Sequence, residues 1–428
     1  MAILPRKIPI GATHETISVN LKKLVFVFLE KMMIDITTNC QALCPGCQRT
    51  RGGTKEHPVN PTLTTGQNDW PLGGNMSFDI FKKALPVELI SGDMEHVNFT
   101  GNFGEPTFHP QFKEFVQYLY DNKGPYLVID VSTNGGLHTP EWWVDFAKMH
   151  KKFANEYKKH NWKRNLITFA IDGIDDETQQ KYRRGVNYDK AMTNARAFID
   201  AGGNAEWQFI AFKHNEHQIE EAKKLAKEYG FKELSTSRTR SVFNAIDDIS
   251  HRKGKREIEA NETKKHKKEK LIQIDKLPNN QSNEDMINLV KEAIHVNKNK
   301  TFEENADNYI DTTEIICDWG DIEQKIMVEH DGTVFQCCFF VGSMKYGHSP
   351  PDNTWEDYYE KKYLPNFNSL HSHTLEEIIC KSDLWKKDLH ESWKNTTKAT
   401  VNPRLWMCST HCGKHRRDVE QYTIGAKH

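Results

Sequence analysis

The chain has 428 residues, 37% of them hydrophobic and 27% charged, enough to bury one large core and one smaller one, so two domains are expected. Lysine and arginine total 58 against 59 acidic residues, which excludes the bulk charge imbalance that draws proteins to nucleic acid or anionic lipid. The sequence shows no signal-peptide pattern after Met1 and no run of about 18 apolar residues, so a cytoplasmic protein with no membrane partner is expected.

In chain order, residues 1–29 read as an N-terminal extension. From residue 30 to 240, short β-branched or apolar runs alternate with longer amphipathic ones. Strands are predicted at Met32–Ile36, Val97–Thr100, Leu127–Ser132, Leu166–Ile171, Glu206–Phe212 and Glu233–Ser235. Helices are predicted between them, among them Pro140–Tyr157, Tyr188–Ala201 and Glu216–Tyr229, the last closed by Gly230. Strand-then-helix repetition of this kind gives an α/β fold with a parallel sheet, open or curled into a partial barrel.

Residues 241–310 break the rhythm. His251–Lys270 holds nine basic and four acidic side chains with no aromatic residues among them, which reads as a solvated insert or linker, with an RNA contact as the alternative. In residues 311–428, Lys325–Val328 and Thr333–Gln336 flank His330-Asp331-Gly332, a β-hairpin signal. This region is expected to be a small cysteine-rich α+β domain.

The nine cysteines are Cys40, Cys44, Cys47, Cys317, Cys337, Cys338, Cys380, Cys408 and Cys412. An odd number in a chain with no export signal argues for metal ligation or buried thiols over a disulfide framework. Three follow the first strand directly as Cys40-x3-Cys44-x2-Cys47, a spacing that random placement would yield with odds of roughly 0.004. Structural zinc needs four protein ligands, and this loop has three with no fourth at finger-like distance. Three thiolates on a [4Fe–4S] cluster leave one iron open for chemistry.

With that loop the chain resembles the radical S-adenosylmethionine superfamily. The resemblance implies a partial (βα)6 TIM-like barrel in which Cys40, Cys44 and Cys47 each hold one iron of a [4Fe–4S] cluster and S-adenosylmethionine chelates the fourth. It also implies a one-electron reductant such as flavodoxin or ferredoxin, reductive cleavage to a 5′-deoxyadenosyl radical, and hydrogen abstraction from a small-molecule or peptide substrate. Gly46 departs from the aromatic residue usual before the third cysteine.

Ligands gather at the carboxyl ends of parallel strands, and four further segments there resemble the family's cofactor-binding motifs. Thr100-Gly101-Asn102-Phe103-Gly104-Glu105-Pro106 is similar to the Gly-Gly-Glu-Pro segment, with Asn102 and Phe103 in place of the double glycine. It implies Gly104 and Glu105 at the cofactor's ammonium. Ser132-Thr133-Asn134-Gly135 implies Ser132 and Asn134 at the ribose and carboxylate. Asp172-Gly173 with Tyr182-Arg183-Arg184-Gly185 implies Asp172 in the cofactor site and one of the two arginines, Arg184 or Arg183, against the cofactor carboxylate. Lys213-His214-Asn215 is similar to a strand-to-helix junction of relatives with a C-terminal cluster domain. Singly, each segment also reads as a plain turn or surface residue.

Cys317, Gly332 and Cys337, with Cys408-x3-Cys412 later, resemble the auxiliary-cluster domains called SPASM and twitch. The region lacks the internal Cys-x2-Cys-x5-Cys run of a full SPASM domain. One auxiliary [4Fe–4S] cluster on Cys317, Cys337, Cys408 and Cys412 is implied, taking up the substrate's electron for net oxidation or binding substrate directly, with four-thiolate zinc as the rival. Cys338 stands where oxidising relatives carry an acidic base. It reads as a catalytic hydrogen-atom donor for epimerisation or another redox-neutral outcome, or as a buried bystander. Cys380 falls on an amphipathic helix pattern and reads as core, and His411 and His415 read as flanking or surface residues. From other classes, a zinc-binding interaction protein and an RNA-modifying enzyme stay open.

Overall fold

The computed structural model describes residues 29–44, 74–92, 94–157, 165–212, 214–237, 310–317, 319, 325–341, 362, 367–381, 387–405, 408–409 and 412–413. Eight strands form one sheet: β1 (Lys31–Ile34), β2 (His96–Phe99), β3 (Val128–Thr133), β4 (Ile167–Ala170), β5 (Ala205–Ile210), β6 (Leu234–Ser237), β7 (Lys325–Val328) and β8 (Val334–Phe335). Their spatial order is β6-β5-β4-β3-β2-β1-β7-β8. All neighbours run parallel except β7 and β8, the antiparallel hairpin. With β6 at one edge and β8 at the other the sheet does not close, so the barrel is partial.

Successive strands lie side by side from β1 to β6, and right-handed crossovers then put every connecting helix on the same face. These helices are α1 (Phe78–Ala84), α2 (Val87–Ser91), α3 (Phe112–Lys123), α4 (Pro140–Tyr157), α5 (Asp176–Tyr182), α6 (Tyr188–Asp200) and α7 (Ile219–Tyr229). Burial alternates accordingly. Met32, Ile34, Val97, Phe99, Ile129, Val131, Phe169, Trp207 and Phe209 are buried under the helices. Met33, Asn98, Asp130, Ser132, Thr168 and Gln208 point to the other face and are partly exposed. Parallel sheets ordinarily bury both faces, so a polar, partly wet face marks the side open to a ligand.

The helix side is packed with rings. Phe81 stacks on Phe115 at 4.2 Å, Trp143 meets Phe169 at 5.1 Å and Phe146 meets Phe198 at 5.7 Å, contacts worth about 0.5–1.5 kcal/mol each beyond burial. Helix starts are capped by Ser77, Asp175 and Asn187, whose side chains accept from Ile80 N, Thr178 N and Lys190 N. Helix α7 stops at Gly230 in the left-handed region, φ 85°.

The expected strands all form, displaced by one or two residues at their ends. Asp35, Ile36, Ile171, Ala211 and Phe212 lie past the paired residues because there the chain turns into the loops of the carboxyl rim. The helix predicted from Glu216 begins as a 3-10 turn, Glu216–Gln218, before α7. The hairpin's second strand pairs over Val334–Phe335 alone. Around Cys380 the backbone is a π-helix over Glu377–Lys381 where an α-helix was predicted. Residues 241–309, and with them the charged insert, lie outside the described residues, as do residues 1–28, His411 and His415. Among the described residues no helix is long and apolar enough to cross a membrane.

One buried titratable group couples this core to pH. His150 on α4 is 1% exposed, its Nδ1 bonded to Tyr120 Oη at 2.6 Å, and burial lowers its pKa to about 4. In the unfolded chain the ring takes up a proton near its usual value of about 6.5, whereas the folded protein resists doing so. Stability is therefore full above about pH 6.5 and falls as pH drops towards 4, by roughly 3 kcal/mol in total. In urea unfolding at a series of pH values, His150→Gln should flatten that slope. An unchanged slope would assign the acid sensitivity to other groups.

Candidate functional site

The loop after β1 is anchored before its cysteines are reached. Asp35 N donates to Val328 O at 2.9 Å, and Asp35 Oδ1 accepts from Thr100 Oγ1 at 2.6 Å, fixing the end of β1 to those of β7 and β2. Thr37 Oγ1 donates to Asn75 Oδ1 at 2.6 Å, which also accepts from Asn39 Nδ2 at 3.1 Å. Cys40 is half-buried and Cys44 buried. Cys40 Sγ accepts from Ala42 N at 3.4 Å and from Asn134 Nδ2 at 3.6 Å. Cys47 and Gly46 lie outside the described residues.

Gly104 is dictated by backbone contact: a Cβ there would stand 2.0 Å from Thr37 O, so no side chain fits. The next residue, Glu105, is 3% exposed and donates its N–H to Asn39 O at 2.8 Å. Its Oε1 accepts from Thr107 N, Thr107 Oγ1 and Thr133 Oγ1 at 3.2, 2.8 and 2.7 Å, and its Oε2 from Asn134 N at 2.7 Å. Burial pushes this carboxyl above its usual range, against the pull of the Asn134, Thr133 and Thr107 donors. Asn134 Oδ1 in turn accepts from Gln41 Nε2 at 2.6 Å. Cys40, Glu105 and Asn134, drawn from three strand ends, thus form one connected network. Ser132 stands on the helix-free face, half-buried.

Asp172, just past β4, is fully buried and takes Arg183 Nε on Oδ2 and Ile210 N on Oδ1, both at 2.6 Å. Burial pushes the Asp172 carboxyl up against the pull of Arg183 and the Ile210 N–H, and burial alone would push the Arg183 guanidinium down, but Asp172 and the nearby Cys44 sulfur lift it above its ordinary value; the 2.6 Å contact is that of an ion pair. Arg184 contributes its backbone: its carbonyl accepts Leu43 N at 2.7 Å, and a Cβ on Gly185 (φ 83°) would meet Gln41 O at 2.7 Å. The loop after α5 is thereby docked on the cysteine loop. Asn215 Nδ2 donates to Asp172 O at 2.9 Å, while Lys213 lies outside the described residues.

The second cysteine group converges as well. Cys317, Cys337, Cys408 and Cys412 line one cavity with Trp319, Gln336, Phe339, Phe340 and Trp393. Ile316 N donates to Cys412 O at 3.0 Å and Ile315 bridges Gly413, which brings distant segments together. Burial, reinforced by neighbouring sulfurs, pushes the Cys337 and Cys408 thiols well above their usual range. Cys338 is half-buried and is not among the residues lining the cavity.

Both donor sets suit iron–sulfur chemistry. At the first, two N–H groups reach Cys40 Sγ, and thiolate sulfur is a ligand suited to soft metals. Asn39 Oδ1, buried at 6% exposure, accepts from no donor among the described residues, leaving an acceptor for a ligand's N–H. At the second, four thiols in an apolar cavity need a cationic centre to bind them as thiolates. Among the described residues no three ligand groups close onto a single ion. Four cysteines lining one cavity fit a four-thiolate centre, whether an iron–sulfur core or zinc.

Gln41, Arg183 and Asn215 shape the first site more than their sequence context indicates. Gln41 sits inside the cysteine motif at a position its spacing leaves open. Arg183 is separable from Arg184 only by seeing which one turns towards Asp172.

Residues 34–226 match the Radical SAM superfamily. Over 121 residues the chain is 26% identical to the tungsten-containing aldehyde ferredoxin oxidoreductase cofactor-modifying protein of Pyrococcus furiosus, a stretch spanning 28% of this chain and 28% of that protein. Among solved structures, Streptococcus suis SuiB bound to precursor peptide SuiA is 12% identical, with 92% of this chain and 75% of that one covered at a TM-score of 0.47. Native anSMEcpe with bound AdoMet is 13% identical, with 92% and 97% covered at a TM-score of 0.46.

The buried ion pair makes a direct prediction. Arg183→Met leaves the Asp172 charge buried and unpaired, which should lower the unfolding free energy by about 3–5 kcal/mol. The double variant with Asp172→Asn should recover most of that loss. Equal losses in the single and double variants by denaturant unfolding would show that the pair is not the cause.

Proposed function

The chain carries a radical SAM superfamily domain over residues 34–226, and from that premise we propose that it is an iron–sulfur enzyme that cleaves S-adenosylmethionine and abstracts hydrogen from an unactivated carbon of a small-molecule or peptide substrate. When bound, the reduced cluster would supply the one electron that cleaves the cofactor's sulfonium C–S bond to give methionine and a 5′-deoxyadenosyl radical. The observation that carries this reading is the network joining Cys40 Sγ through Asn134 to Glu105, with contacts of 3.6 and 2.7 Å. It joins a thiol, a side-chain amide and a buried carboxylate at the carboxyl end of a parallel sheet, which supports reading them as a metal ligand beside cofactor-recognition groups.

In this reading Cys40, Cys44 and Cys47 hold the first cluster. The Gly104 backbone, Ser132, Asn134 and Arg184 line the cofactor site. Glu105 spends most of its acceptor capacity on Thr107, Thr133 and Asn134, so it holds the strand ends in place and has one Oε2 lone-pair direction left for an ammonium. Asp172 acts through Arg183, which it orients beside Cys44. A reductant of the flavodoxin or ferredoxin kind delivers the electron.

We divide the chain into an extension (1–29), the barrel (30–240), a charged insert (241–310) and a SPASM- or twitch-like region (311–428). There Cys317, Cys337, Cys408 and Cys412 hold one auxiliary [4Fe–4S] cluster. That cluster takes up the substrate's electron in a net oxidation; in the alternative, redox-neutral outcome Cys338, adjacent to Cys337 and outside the cavity lining, gives a hydrogen atom to the substrate radical, and otherwise it is a bystander.

Anaerobically reconstituted protein should carry iron and sulfide for two cubanes. Cys44→Ala should abolish 5′-deoxyadenosine formation and retain about half the iron, and Cys408→Ala should lose the other half yet still cleave cofactor. Normal cleavage by Cys44→Ala would overturn the ligand assignment, and zinc without iron would make this a zinc-binding protein. Deuterium transfer from candidate substrates into 5′-deoxyadenosine would identify the substrate.

A further inference from the structure

Arg404 is a long cationic side chain in the cysteine-rich region, only 4% exposed. Its Nε donates to Ser409 Oγ at 2.8 Å, its Nη1 to Asp311 O at 3.1 Å and to the Trp393 carbonyl, and its Nη2 to the Thr313 carbonyl. Ser409 Oγ passes the chain of bonds on to Ile310 O at 2.7 Å. Four of the five donors of a guanidinium are thus directed at neutral oxygens. Those oxygens come from the segment leading to Cys317, from Trp393 in the cavity wall, and from the residue after Cys408. A group that stays charged at any working pH is thus fixed behind the Cys408 side of the cavity, between its lining residues Trp393, Leu405 and Cys408.

A second polar group lies in the same wall. Trp393 lines the cavity, and its Nε1–H is buried with no acceptor at hydrogen-bond distance among the described residues. A buried N–H left in this way is costly unless something in the cavity receives it.

Resting on the auxiliary-cluster reading above, we propose that Arg404 and Trp393 are positioning residues for electron transfer at the second site, a fixed charge and an N–H donor that raise the reduction potential of the cluster held there. A four-thiolate cubane is already anionic and becomes more so on gaining an electron. A nearby buried cation and an N–H directed at sulfur both favour that reduced form, since net charge and hydrogen bonds to sulfur set such potentials, and in a cavity lined by apolar groups the attraction is weakly screened. The Cys408 wall thereby makes the second site the stronger electron acceptor.

The test is a redox titration of the full-length, anaerobically reconstituted protein followed by electron paramagnetic resonance. The first cluster, recognised by its response to added S-adenosylmethionine, is the internal reference. Arg404→Gln should lower the reduced-to-oxidised ratio of the second cluster at least tenfold at fixed potential, a downward midpoint shift of about 59 mV or more. Trp393→Phe, which keeps the ring and removes only the N–H, should shift it in the same direction, and neither variant should move the first cluster. If both variants keep wild-type iron and an unmoved second midpoint, the proposal is wrong. If Arg404→Gln loses the second cluster, Trp393→Phe decides: a lowered midpoint supports the proposal and an unchanged one overturns it. A wild-type protein with iron for one cubane only would instead overturn the auxiliary-cluster reading, and this proposal with it.

Discussion

A single buried carboxylate holds the carboxyl rim of this sheet together. Glu105 leaves β2, donates its backbone N–H to the cysteine loop at Asn39, and gathers donors from Thr107, Thr133 and Asn134 onto its two oxygens. Burial raises the cost of its charge, and the donors offset that cost only while all of them are in place. The three loops after β1, β2 and β3 are therefore fixed together rather than one at a time. Asp172 does the same further along the rim, joining the ends of β4 and β5 through Ile210 N and holding Arg183 beside Cys44. Two buried acids thus preorganise a surface on which a cofactor would find its polar partners already aimed.

Much of the sheet was legible in the residues because period-two burial is a strong signal. Met32 and Ile34, or Val131 and Thr133, alternate with partly exposed neighbours, and glycines and polar residues punctuate the loops. The strand ends were less so, since Ile36 and Ala211 are as buried as the paired residues before them and only the ladder shows where pairing stops. The parallel contact of β7 with β1 was not visible, because nothing in Lys325–Val328 specifies a partner some 290 residues earlier.

For the candidate sites, the cysteine spacing pointed to Cys40 and resemblance to family motifs pointed to Glu105, Asn134 and Asp172, and the structure gathers them at one rim. The four cysteines paired off by resemblance, Cys317, Cys337, Cys408 and Cys412, line one cavity. Residues that act through geometry alone escaped notice. Gln41 touches Asn134 by its side chain, and Arg404 lies in a stretch, Pro403-Arg404-Leu405, with no pattern that marks a buried cation. Such residues are defined by the carbonyls they meet, and carbonyls leave no trace in composition or spacing.

The join between β7 and β1 bears on the order in which this protein can mature. The loop carrying Cys40 and Cys44 hangs from a strand whose second neighbour is not synthesised until Val328, and whose end is pinned by a hydrogen bond to that residue's carbonyl. On the ribosome, β1 is an edge strand with unpaired backbone groups for most of translation, and its closure demands a contact of very long sequence separation, a slow step. The cysteine loop thus reaches its pinned position only after β7 has arrived, so the rim that joins Cys40, Asn134 and Glu105 is completed late in folding.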